Sequence, residues 1–135
     1  KNMANLSALK AGGVPSTFCG SNTLSAQDGD VAVTGVGFKP TWILITGLID
    51  FGGDQVITSR GFKNAGSGRA HGKTVYGTGS GTGFYTYEAN AKLYTGLNAA
   101  GGTIEGILKS FDADGFTIDK EGYAFGIELF WIVGR

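Results

Sequence analysis

From Asp30 onward the chain alternates. Val31 and Val33 share one phase, which Gly35 continues, and a period of two is the mark of a strand with one buried face. A corner, Gly37-Phe38-Lys39-Pro40, then leads into Thr41-Trp42-Ile43-Leu44-Ile45-Thr46. That run is β-branched and almost wholly apolar, which predicts a central strand covered on both faces. Further strands are predicted at residues 55–60, 73–76, 83–88, 92–95, 103–111, 116–119 and 123–133, with turn residues every eight to twelve positions. Such spacing predicts a sandwich or a barrel.

Helical patterning is missing from most of the chain. After residue 25 no ten-residue stretch holds a helical period without a glycine, and a parallel sheet would need crossover helices. The predicted class is therefore all-β: an antiparallel β-sandwich, jelly-roll-like, spanning residues 23–135. Residues 1–22 read differently, as an extended N-terminal arm that is small and polar, with Leu6, Leu9, Val14 and Phe18 as sparse apolar points. A short helix over residues 5–10, capped by Asn5, fits the arm equally well.

Composition narrows the picture. The 135 residues include 25 glycines, against an average share of roughly 7%, with 41% hydrophobic residues and only two prolines. This is too apolar for disorder and suits a chain with many turns. Eleven basic residues balance eleven acidic ones, so no basic field favours nucleic acid or an anionic membrane. No apolar run reaches the ~18 residues of a membrane-spanning helix, and the first residues do not read as a secretion segment. The single cysteine, Cys19, rules out an intrachain disulfide framework.

Candidate chemistry is sparse. Residues 67–74 come within one residue of a phosphate-binding loop, but Val75-Tyr76-Gly77 follows where a helix is required. The glycines of Gly77-Thr78-Gly79-Ser80-Gly81-Thr82-Gly83 alternate strictly and miss the dinucleotide spacing. Asp112, Asp114, Asp119 and Glu121 gather carboxylates in a short span, yet their order is not that of a calcium loop, and a hairpin turn at Asp114-Gly115 accounts for them. His71 is the only histidine and lies far from Cys19 in the chain. No catalytic residue, metal site or cofactor is expected, and the chain reads as a non-enzyme.

Aromatic residues supply the other candidates. Phe84, Tyr85, Tyr87 and Tyr94 fall on two neighbouring predicted strands. Tyr85 and Tyr87 share a phase, and Phe84, in the opposite phase, is assigned to the core. Tyr85, Tyr87 and Tyr94 fit cross-strand packing, a subunit interface, or a platform on which a surface glycan stacks.

Two segments carry a family resemblance. Val33-Thr34-Gly35-Val36-Gly37-Phe38-Lys39-Pro40-Thr41-Trp42-Ile43-Leu44 contains a "GFxP" corner before an apolar strand. Ser110-Phe111-Asp112-Ala113-Asp114-Gly115-Phe116-Thr117-Ile118 contains a "DGF" turn and is followed by the closing strand. Together they resemble a β-sandwich module of tailed-bacteriophage virion proteins, over residues 30 to 133. The resemblance implies a virion structural protein, made in the host cytoplasm, of head decoration or tail fibre type, with capsid or tail subunits as partners. On the residues themselves, Phe38 would plug one end of the sandwich, Pro40 would set the entry to the Trp42 strand, and Phe116 would anchor the strand after the turn. The arm residues Leu6, Leu9, Val14 and Phe18 would then order on a partner. The closing run, apolar at both parities, predicts a homo-oligomer, with a trimer as first expectation. A carbohydrate- or receptor-binding module of a tail fibre, using Tyr85, Tyr87 and Tyr94, is the alternative.

Overall fold

A computed structural model describes residues 17–25, 27–50, 56–67, 70–78, 81–89, 92–97, 103–122 and 127–135. All of its regular structure is β. The strands are β1 (Thr17–Leu24), β2 (Gly29–Thr34), β3 (Trp42–Asp50), β4 (Val56–Asn64), β5 (Ala70–Thr78), β6 (Gly81–Ala89), β7 (Lys92–Leu97), β8 (Thr103–Asp112), β9 (Gly115–Glu121) and β10 (Ile127–Gly134). They form a six-stranded sheet, β1-β10-β3-β4-β5-β6, and a four-stranded sheet, β2-β9-β8-β7. Every pairing is antiparallel, so the chain is an antiparallel β-sandwich. First strand pairs with last and second with second last, the nested wrapping of a jelly roll. Strands β3 to β6 and β7 to β9 instead run as meanders within one sheet each.

The core fills the space between the sheets. Ile43 and Ile45 from β3, Ile127, Leu129, Trp131 and Val133 from β10, and Phe116 and Ile118 from β9 are all buried there. Burying a side chain of this size stabilises the fold by roughly 1.5–3 kcal/mol. The alternation expected at Val31 and Val33 holds, with Val33 buried and Val31 packed against the core, but Gly35 lies beyond the strand in a turn.

Two expectations are corrected. The Trp42 strand is covered on one face only: Leu44, between buried Ile43 and Ile45, is exposed. On the closing strand Phe130 and Ile132 are likewise exposed between buried neighbours, on the face for which a second subunit was expected. A continuous apolar run suggests two covered faces, but within this chain only one layer lies against each strand. The arm boundary also shifts, because residues 17–22 belong to β1, hydrogen-bonded along β10 from Thr17↔Gly134 to Leu24↔Ile127. The short polar side chains of β1 hid its period of two, in which Phe18, Gly20 and Asn22 are partly covered and the residues between them exposed. The helix considered at residues 5–10, and Leu6, Leu9 and Val14, lie outside the described residues.

Candidate functional site

The two sides of the sandwich are finished differently. On one side β7 tucks under β4 and β5. There Thr95 N–H donates to Ser59 Oγ (3.1 Å) and Thr74 Oγ1 donates to Thr95 O (2.8 Å). Ser59 Oγ and Thr74 Oγ1 are 3.0 Å apart; with the Thr74 proton committed to the carbonyl, Ser59 must donate to Thr74. The result is a closed ring of hydrogen bonds, buried between the sheets, that satisfies both backbone groups of Thr95. Gly61 of β4 lies over the Leu93 carbonyl so closely that a Cβ there would collide with it.

On the opposite side the edge strands β1 and β2 flank a cleft of about 370 Å³, lined among others by Phe18, Asn22, Val33, Thr34 and Trp131. The Trp131 indole is its floor. It stacks on Phe18 (centroids 5.9 Å apart), meets Phe116 edge-on at 5.3 Å, and donates from Nε1 to Asn22 Oδ1 at 2.8 Å. Nearby, buried Lys120 reaches under the β1–β2 connection, where its ammonium donates to Ser25 O and Oγ (both 3.2 Å) and to Gln27 O. Burial lowers the Lys120 pKa, opposed by the charge of Asp28. All three ammonium hydrogens have acceptors, so this lysine fixes a loop.

The exterior faces of the two sheets also differ. The four-stranded sheet is charged outside: Lys109 pairs with Asp30 and Lys92 with Glu105, each at 2.5 Å. The hydrogen bond and charge of Asp30 raise the Lys109 pKa. The six-stranded sheet carries its exposed apolar side chains on three adjacent strands, β10, β3 and β4, beside exposed polar positions of β1 and β5. Ile132, Leu44 and Phe62 stand directly opposite one another on β10, β3 and β4; Phe130 follows on β10, and Trp42 tilts against Phe62 with centroids 6.5 Å apart. This patch is the candidate interaction surface. Its signal in the sequence was the apolar run at both parities.

The predicted ligand residues separate. Tyr94 is completely buried, its ring lying where a Cβ on Gly106 would be. It is a core residue whose ring is accommodated over a glycine of β8, and it presents nothing to a glycan. The register sets Tyr85 opposite Thr74, Tyr87 opposite Gly72 and Phe84 opposite Val75; the side chains of these three aromatics lie outside the described ones. Phe18, expected in a free arm, is a cleft wall against Trp131.

The carboxylates of the β8–β9 turn have structural partners. Asp112 accepts from Ser110 Oγ (2.6 Å) and Thr117 Oγ1 (2.7 Å), which lowers its pKa. Asp114 accepts from the amides of Gly35 (2.9 Å) and Gly37, while Val36 N–H donates to its backbone carbonyl. Gly35 and Gly37 both have φ of 82°, the left-handed region that glycine occupies at least cost, and this turns their amides toward one carboxylate. Beneath the corner Phe38 is buried, with the Arg135 guanidinium 5.4 Å from its ring centroid. The corner and the turn are thus one clasp. Cys19 is exposed on β1, and the described residues include no group of three or more His, Cys, Asp or Glu placed to hold a metal ion.

No family model, curated protein or solved structure matches the chain.

Proposed function

We propose that this chain is a non-enzymatic structural component of a tailed-bacteriophage particle, a head decoration or surface protein that acts by binding and assembly. The observation that carries this reading is the apolar patch on the outer face of β10, β3 and β4, where Leu44, Phe62, Phe130 and Ile132 lie open to solvent. Contiguous patches of large apolar residues mark sites that another macromolecule covers. The two motifs that carry the resemblance are joined by Asp114, which accepts from the Gly35 and Gly37 amides. The glycan alternative has lost Tyr94 to the core and rests on Tyr85 and Tyr87 alone.

The test is quantitative mass spectrometry of salt-washed particles from the phage or prophage that encodes the chain. A structural component is found at a fixed ratio to the shell or tail subunit; absence from washed particles overturns the proposal. A glycan array with the native chain and Tyr87→Ala addresses the alternative, which requires binding that the substitution abolishes.

A further inference from the structure

We infer that the apolar patch on the outside of the six-stranded sheet is covered by a second copy of this chain, packed face to face about a two-fold axis. The inference rests on the assembly reading above and names the occupant of that same surface.

The sandwich supplies its own control. Its two exterior faces meet the same solvent, yet one carries the ion pairs Lys109–Asp30 and Lys92–Glu105 while the other carries a contiguous apolar patch. Leu44 and Phe62 are 40% and 39% exposed, and Phe130 and Ile132 47% and 39%. Backbone alternation requires some residue at each outward position, but nothing in folding requires it to be phenylalanine or isoleucine. A strand face meant for water takes polar residues there, as β2 does with exposed Asp30 and Thr34.

Size and charge select the occupant. The apolar patch occupies three of the six strands, and the whole sheet around it, six strands spaced ~4.8 Å apart and about eight residues long at ~3.3 Å per residue, spans a face of about 700 Å². That approaches the ~800 Å² per partner of a standard stable interface, so this one face against its own copy suffices. The apolar patch is bordered by exposed Glu128 along β10 and by exposed Arg60 and Lys73 on β4 and β5. A border carrying both signs can complement itself, whereas a border of one sign would repel its copy. A surface complementary to itself closes as an isologous pair, so a dimer replaces the trimer expected from sequence.

The experiment is sedimentation equilibrium of the full chain, native and with Phe130→Asp or Leu44→Asp, each variant first checked for native circular dichroism. The native chain is expected to be a dimer, and either substitution to weaken it by about thirtyfold or more, as at the centre of an interface. A second readout needs no substitution. Cys19 stands directly opposite Ile132 in the register and is exposed, so its rate of reaction with a bulky maleimide should fall as protein concentration rises through the dimerisation range. A native chain that stays monomeric, a closed trimer, or a dimer indifferent to both substitutions with concentration-independent Cys19 labelling overturns the inference. A monomer that is nevertheless found in washed particles overturns the pairing and leaves the virion reading standing. A dimer absent from particles does the reverse.

Discussion

The carboxylate of Asp114 accepts a hydrogen bond from the amide of Gly35 at 2.9 Å, across 79 positions of sequence. With the Gly37 amide on its other oxygen, one side chain closes an end of the sandwich by joining the β8–β9 hairpin to the corner before β3.

Replacing that carboxylate should be felt in both places. Asp114→Ala leaves two amides without their charged acceptor, and hydrogen bonds to charged groups are worth about 1.5–3 kcal/mol where water cannot substitute. The site is exposed, so a loss of about 1–2 kcal/mol in denaturant unfolding is expected, with Asp114→Asn intermediate. An unchanged midpoint would mean that the clasp contributes no stability.

Gly61→Ala should be among the most damaging small substitutions in the chain. Its new methyl would meet the Leu93 carbonyl, a backbone atom that cannot rotate away. Overpacking of this kind costs about 1–3 kcal/mol or more. Gly66→Ala, whose nearest neighbour would be the Asn64 side chain at 3.8 Å, serves as the neutral control. Thermal melts of the two variants give the comparison directly.

The hydroxyl ring predicts a coupling. Thr74→Val strands the Thr95 carbonyl and Ser59→Ala strands its amide, each costing about 1–3 kcal/mol as a buried unsatisfied group. Because the three residues close one circuit, the double variant should lose less than the sum of the singles, with an interaction energy of at least about 0.5 kcal/mol in a double-mutant cycle. Strict additivity would mean that the ring does not act as a unit.

Asp112 predicts a pH dependence. Hydrogen bonds from Ser110 and Thr117 hold its folded pKa below the ordinary carboxylate value, which is about 3.9 in an unfolded chain. The unfolded state therefore binds more protons in that window, and stability rises with pH there. The contribution is fully present above about pH 4 and is lost as pH falls through the folded value. Asp112→Asn should flatten the acid limb of a stability–pH curve while leaving its neutral plateau lower. An acid limb that Asp112→Asn leaves unaltered would rule out this carboxylate as its source.

What was legible in the sequence was what periodicity encodes. Strands β3, β8, β9 and β10 announced themselves through Ile43, Ile104, Phe116 and Leu129 because large apolar side chains mark burial. Phe38 was readable as a plug and Phe116 as the anchor of its strand for the same reason, and both are buried. Strand β1 was missed, since its inward positions include Gly20 and Asn22, one lying under the Trp131 ring and the other bonded to its Nε1. Those roles exist only once β10 is alongside. For Tyr94 the sequence left packing, interface and glycan platform open, because burial of a tyrosine depends on a distant glycine, Gly106, which alternation along β7 cannot reveal. The clasp was out of reach for a similar reason: each motif was visible, but the hydrogen bonds between them are a property of topology.

The hydroxyl ring that seals β4, β5 and β7 together has a mechanical consequence, because the opposite side of the sandwich has a cleft between β1 and β2 in place of backbone contact, with Lys120 pinning their connection. The molecule is bound like a book along one spine. Opening fluctuations should begin at the fore-edge, so amide hydrogens of β1 and β2 exchange with solvent sooner than those of β4 and β5, and a partner that grips the fore-edge would stiffen the half of the protein that moves most.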